Sequence, residues 1–408
     1  MTASDALSVS DPTVPTIDLF DLGSKGLQHH GLRRANERAV LTVVGFNPGL
    51  SNAEIARMSG LAPQTVSAIL NDVEAAGLIE RGEVLRGRRG QPATPIFLRS
   101  AGAFSIGIEV GWRHADVLAV DLGGQIVAQR HIAYDDADLA ALPSLLAGAI
   151  DDIVSDWSGE QRARLADIGI GLPGTIHTHR PHEVREGTKV GPSQVDFAAE
   201  LARRTGLSVT LFNDGNAACW AELLMQPAPR PDSFIYLLVS TYLAAGLIGE
   251  GRLWQGPNGH SADLGAMLVG LGGEAPRSAH SIASASALAE RLAAAGHAAD
   301  IADIANWDWD GIEPVVAAWV EDSARALALV VYNTNAVIEA GLVVLDTILP
   351  APVTKRLADQ MGLHLAALPL RYPIRIDAGH IGRLAPALGA AFLVTYRRYF
   401  SRNLIEKN

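Results

Sequence analysis

Between Ser51 and Gly77 the chain carries the punctuation of two short helices joined by a tight turn. Ser51 suits a helix N-cap, and Glu54 follows at the capping-box spacing. Gly60 ends that helix, and the next starts near Ala62 with Pro63 in its first turn. Val66, Ile69, Leu70 and Val73 recur at i, i+3, i+4 and i+7, which makes one apolar face. Ile55 and Met58 are expected to face inward from the preceding helix, as are Val40, Leu41 and Val44 from an earlier one. Gln64, Thr65, Ser67 and Asn71 are left on the polar face, and Gly77 closes the helix. Two β-like runs, 78–85 and 93–98, flank a basic turn that holds Arg86, Arg88 and Arg89. Helix, turn, helix and basic hairpin predict a winged helix-turn-helix over 31–99. Its second helix would offer Gln64, Thr65, Ser67 and Asn71 to base edges in the major groove. The three arginines would reach phosphates or a narrow minor groove.

That reading has to be local, because the whole chain is acidic. Against 33 Lys and Arg stand 44 Asp and Glu, a net charge of −11, so any nucleic-acid contact must come from a patch. Residues 1–30 are polar and aperiodic and are expected to form a disordered leader without the pattern of a signal peptide. The single cysteine, Cys219, allows no internal disulfide and fits a cytoplasmic location. The apolar stretch 326–345 is interrupted by Asn333, Thr334, Asn335 and Glu339; it predicts a buried helix followed by a strand, with no membrane span.

From residue 100 onward the pattern changes. The segment FSIGIEVGWRHADVLAVDLGGQIVAQRHI predicts three consecutive strands. A long helix follows, then the strand DIGIGLPG, a helix near 195–205, the strand VTLFND and another helix. Alternation of this kind predicts an α/β region with mixed sheets over 100–408.

The segments LSNAEIARMSGLAPQTVSAILNDVEAAGLIERG, GRRGQPA, IGIEVG, IGIGLPG, FNDGNAACWAE and GPNGHSADLGAM together resemble the ROK family (repressors, open reading frames, kinases), in its transcription-regulator branch. The resemblance implies a winged helix-turn-helix followed by a two-lobed actin-like (ribonuclease H-like) sugar-kinase domain. It also implies double-stranded DNA with a palindromic operator as partner, a sugar-derived effector and a homodimer.

Set against the family's kinases, the chain departs at both phosphate turns. The first reads Gly107-Ile108-Glu109-Val110-Gly111, with Glu for the usual Asp and bulky Trp112 and Arg113 after it. In the second, Ser240 to Gly246, Tyr242 and Ala244 fill glycine positions and would obstruct a phosphate. The family's zinc positions fall on Ala266, Leu271, Gly273 and Ser278, none of them an ordinary zinc ligand. No cofactor and no metal are therefore expected, and no catalytic residue is assigned.

One element of the family pattern survives. Asn213-Asp214 matches the pair whose Asp serves as base in the kinases and which hydrogen-bonds sugar in the regulators; a plain helix N-cap is the alternative. Asp263 and His280 match two further sugar-contact positions with altered chemistry, although His280 also reads as an ordinary core or surface histidine. His177, His179 and His182 open a tract more consistent with a solvated loop than with a metal site. The expected function is a sugar-responsive repressor of carbohydrate-related genes. An active sugar kinase with a fused DNA-binding domain, and a regulator answering to a protein partner, remain open at this point.

Overall fold

The computed structural model describes residues 29–83, 94–135, 137–174, 176, 194–257, 259, 262–270 and 275–401, with the side chains from residue 31. Arg86, Arg88 and Arg89, the 177–182 histidines, Leu271, Gly273 and residues 1–28 of the expected leader lie outside the described residues; His29 and His30, placed in that leader from sequence, already belong to the first helix.

The N-terminal unit follows its sequence punctuation. Helices α1 (His29–Phe46), α2 (Asn52–Ser59) and α3 (Pro63–Ala75) pack around Val40, Leu41, Val44, Ile55, Val66, Ile69, Leu70 and Val73, all buried. Ser51 caps α2 in a complete capping box: Glu54 accepts from the Ser51 backbone N–H at 2.8 Å. Gly60 takes φ 70°, a left-handed conformation that turns the chain sharply toward α3. Met58 does not face inward; it is 51% exposed, because Ile55 and Ala56 carry the buried face of this short helix. Strands β1 (Ile79–Arg81) and β2 (Ile96–Leu98) pair antiparallel, with Ile79 opposite Leu98. The described strands are shorter than the runs 78–85 and 93–98 expected from sequence.

The large domain repeats one sheet plan twice. In the first lobe, β3 (Phe104–Val110), β4 (His114–Asp121) and β5 (Ile126–Ala133) form an antiparallel meander. Helices α4 (Leu142–Val154) and α5 (Gly159–Ala163) lead to β6 (Leu165–Leu172); α6 (Gln194–Thr205) precedes β7 (Ser208–Asn213). Both strands join parallel, giving the order β5-β4-β3-β6-β7. Helix α7 (Asp214–Met225) then leads to the second lobe, where β8 (Phe234–Val239), β9 (Leu243–Gly249) and β10 (Arg252–Leu253) form another meander. A ribbon of β11 (Leu268–Val269) and β12 (Arg277–Ser278), helices α8 (His280–Ala283) and α9 (Ala285–Ala294), and the long α10 (Glu313–Ile338) follow. Strand β13 (Leu342–Thr347), α11 (Ala351–Ala366) and β14 (Arg375–Ala378) complete the order β10-β9-β8-β13-β14. The stretch 326–345 is the expected buried helix and strand. Among the described residues no helix is long and apolar enough to cross a membrane.

The last helix, α12 (Ala385–Tyr399), ties the parts together. It crosses α7 so closely that a Cβ at Gly389 would lie 1.7 Å from the Ala217 carbonyl oxygen, so only glycine fits. One continuous core runs from Val40 and Val44 in the N-terminal unit to Ala385 and Phe400 at the two ends of this segment. At the far end Phe400 packs on Phe46, and the Ser401 N–H donates to Thr42 Oγ1 at 2.9 Å. Arg164 adds a second tie, donating to the carbonyls of Gly77 and Gly102 at 3.3 and 2.9 Å.

Candidate functional site

The two lobes face each other across a cleft of about 670 Å³, a size suited to a small ligand. Asn213, Asp214, Asp263 and His280 all line it, although they come from widely separated parts of the chain. Asn213 is the N-cap of α7: its side-chain oxygen accepts from Asn216 N–H at 3.0 Å, and its amide donates to Asp214 Oδ1 at 3.1 Å. Capping and a place on the cleft wall thus coexist at this residue.

Asp214 opens α7 and accepts the Gly215 N–H at 2.9 Å. Burial pushes its carboxyl up to about 7, helped by the charges of Glu109 and Asp263 and opposed by the backbone N–H groups it accepts from. Near neutral pH such a group either accepts from a ligand hydroxyl or donates to one.

His280 is buried, and its ring fills the space beside Gly265. Its Nδ1 accepts from the Leu243 N–H at 3.1 Å. That bond places the ring proton on Nε2, which lies 3.5 Å from Asp263 Oδ1. The Asp263 side chain is 64% exposed at the cleft.

The two turns likened to the family's phosphate turns carry large side chains. Trp112, between β3 and β4, meets Tyr242, between β8 and β9, edge to face at 5.2 Å. Arg113 of the first lobe pairs with Asp300 of the second at 3.2 Å. The first N–H groups of α9, Ala285 and Ser286, donate to the carbonyls of Ser240 and Thr241 at 3.0 and 3.1 Å. Donors at a helix start that would suit an anion are spent on protein. Of the family zinc positions, Ala266 lies in a short 3-10 turn and Ser278 in β12.

A second group on the cleft was not read from the sequence as a cluster, although Glu109 was noted in the first glycine turn. Glu109, His114, His131 and Arg383 line the cleft, and buried Asp116 stands behind them. Arg383 Nη1 lies 3.1 and 3.2 Å from the two Asp116 oxygens, and His131 Nδ1 lies 2.8 Å from Oδ1. The signal was present in the hairpin register: Glu109 lies opposite Asp116, and Asp116 opposite His131. Arg383, 267 residues further on, left no such signal.

On the proposed DNA face, Gln64, Thr65 and Asn71 are exposed and Ser67 is half-buried. Asn71 accepts from Arg81 at 3.2 Å, which ties α3 to the strand leading into the wing.

The comparisons agree with this architecture. Residues 105–397 match the ROK family and residues 30–90 the MarR family. The xylose repressor of Bacillus subtilis is 25% identical over 245 residues, which span 59% of this chain and 62% of the repressor's own length. The crystal structure of a ROK family transcriptional regulator homologous to the Escherichia coli MLC protein superposes with a TM-score of 0.69 at 19% identity, covering 90% of this chain and 97% of that one. The ROK hexokinase of Thermus thermophilus superposes with a TM-score of 0.54 at 22% identity, over 72% and 99% of the two chains. With its family domain matched across most of its length and a MarR-type winged helix in front of it, this chain belongs to the ROK family.

Proposed function

We propose that the chain is a DNA-binding transcription regulator, a homodimer on a palindromic operator, controlled by a sugar-like ligand in the cleft between the lobes. The observation that carries this is the continuity of one core from cleft to reading head. Arg383 stands on the cleft just before α12, and Phe400 just after it packs on Phe46 of α1. A ligand that binds one arrangement of the lobes better than the other would act on the N-terminal unit through that helix. The regulators among the relatives, one named for xylose, support a carbohydrate-related role. Asn213, Asp214, Asp263 and His280 are the proposed ligand contacts. Gln64, Thr65, Ser67 and Asn71, with Arg86, Arg88 and Arg89 of the wing, are the proposed DNA contacts.

A thermal-shift screen with sugars, sugar phosphates, polyols and amino sugars tests the effector reading. A ligand at 100 times its dissociation constant stabilises the fold by about 2.7 kcal/mol. No shift across the panel would favour a regulator that answers to a protein partner.

Phosphoryl transfer is the second reading, and Asp214 favours it, since a carboxyl near 7 suits a general base. The Trp112–Tyr242 contact and the spent donors of α9 weigh against it. Coupled-enzyme assays for ADP release from ATP, run over the same panel, decide the matter; turnover would establish the kinase.

A further inference from the structure

Glu109, Asp116 and His131 form a row across three adjacent strands, and His114 stands two residues before Asp116 on the same face of β4. His114 Nε2 lies 3.8 Å from Glu109 Oε1 and 3.7 Å from Asp116 Oδ2. One donor atom from each of Glu109, His114 and Asp116 can be chosen so that all lie within 4.8 Å of one another. Two atoms of this group, Glu109 Oε2 and His114 Nε2, are buried with no hydrogen-bond partner. The imidazole and the two carboxylates face one another at ion-pair rather than hydrogen-bond distance, and an ion seated among them would give both buried atoms a close partner.

We propose that Glu109, His114 and Asp116 bind a divalent transition-metal ion of the Mn²⁺ or Zn²⁺ class on the wall of the cleft. One imidazole nitrogen and two carboxylates form a donor set for such ions, and three protein ligands leave coordination positions open. Because Glu109 and His114 line the cleft, those positions are within reach of a ligand there. Asp116 is already oriented: Arg383 and His131 hold its oxygens from outside the trio, as outer partners hold ligating carboxylates. The guanidinium of Arg383 opposes a cation, but the two carboxylates of Glu109 and Asp116 outnumber it. None of the three residues occupies a family zinc position, so this site departs from the expectation of no metal drawn from the sequence.

The site is independent of whether the protein regulates transcription, and its test needs no DNA or sugar. The full chain, stripped with EDTA and dialysed, is titrated calorimetrically with MnCl₂ and ZnCl₂, and Co²⁺ is followed by its visible absorption. One equivalent of at least one of these ions should bind. His114→Ala should weaken binding at least 100-fold and abolish the Co²⁺ bands; Glu109→Gln should weaken it at least 10-fold. The triple variant His177→Ala, His179→Ala, His182→Ala should bind as the wild type does. Melting curves of the metal-free variants separate lost ligation from lost folding, and if His114→Ala does not fold, Glu109→Gln decides. The proposal is overturned if none of the three ions saturates the wild type, if the folded variants bind unchanged, or if only the triple variant loses the ion.

Discussion

Trp112 and Tyr242, one from each lobe, meet edge to face with ring centroids 5.2 Å apart and planes inclined at 73°. They stand on the two turns that match phosphate-holding turns in the family's kinases. Large side chains thus stand on both turns, and their contact joins the lobes across the cleft. Edge-to-face aromatic pairs contribute about 0.5–1.5 kcal/mol beyond the area they bury. A double-mutant cycle with Trp112→Ala and Tyr242→Ala, read by denaturant unfolding, should return a coupling in that range. Calorimetric titration of the wild type with ATP should show no saturation at millimolar concentration, and a coupling of zero would mean the rings merely coexist.

Asp214 makes stability depend on pH. Its carboxyl, at about 7 in the fold, lies above the unfolded value near 4. Its contribution is therefore complete below about pH 4 and is lost as pH rises through 7. Asp214→Asn removes the ionisation and should stabilise the protein at pH 8, with the gain vanishing by pH 4. The full displacement corresponds to no more than about 4 kcal/mol, and partial solvation of the side chain reduces the expected gain to about 1–2 kcal/mol. Equal melting shifts at both pH values would contradict the assignment.

The reading head should divide its labour. Arg88→Ala with Arg89→Ala should weaken binding to every sequence and reduce the slope of log affinity against log salt by about one per lost phosphate contact. Gln64→Ala or Thr65→Ala should instead change which sequences are selected from a random pool, at a cost of about 1–3 kcal/mol on the preferred site. Unchanged affinity and salt slope in the double arginine variant would remove the wing from the interface.

The joint between reading head and large domain can be loosened without touching either site. Phe400 is buried against Phe46, and large-to-small changes of core Phe cost about 3–5 kcal/mol. Phe400→Leu is milder and should lower the melting temperature by several degrees. The variant should still bind the same cleft ligand but transmit its effect on DNA more weakly. Full transmission would mean that α12 is not the connection.

Most of the fold was legible because its signals are local. Ser51, Glu54, Gly60 and Pro63 mark helix ends through their own backbone preferences, and Val66 through Val73 declare the buried face of α3 by spacing alone. Met58 was misjudged because an eight-residue helix has only two turns, and neighbouring Ile55 and Ala56 were enough to bury its inner side. Asn213, Asp214, Asp263 and His280, which share the cleft wall, were proposed as ligand contacts from family resemblance; no spacing rule joins them. Arg383 and the Arg113–Asp300 pair were invisible for the opposite reason. They depend on lobe packing, where partners 267 and 187 residues apart meet with no sequence periodicity between them. The Glu109, Asp116 and His131 row lay between these extremes, recoverable from strand register once the turns at 111–113 and 122–125 are placed.

The central claim is that the cleft senses a ligand and the N-terminal unit reports it. It is tested most directly by measuring operator affinity with and without the compound that gives the largest thermal shift, in the wild type and in Asp214→Ala. An operator chosen by selection from random DNA serves for both proteins. The wild type should change its affinity about 5- to 150-fold on ligand addition, the range of ordinary coupling between sites. Asp214→Ala should bind the ligand-free operator as the wild type does and show no response. If Asp214→Ala responds to the ligand as fully as the wild type, the cleft is not the sensor.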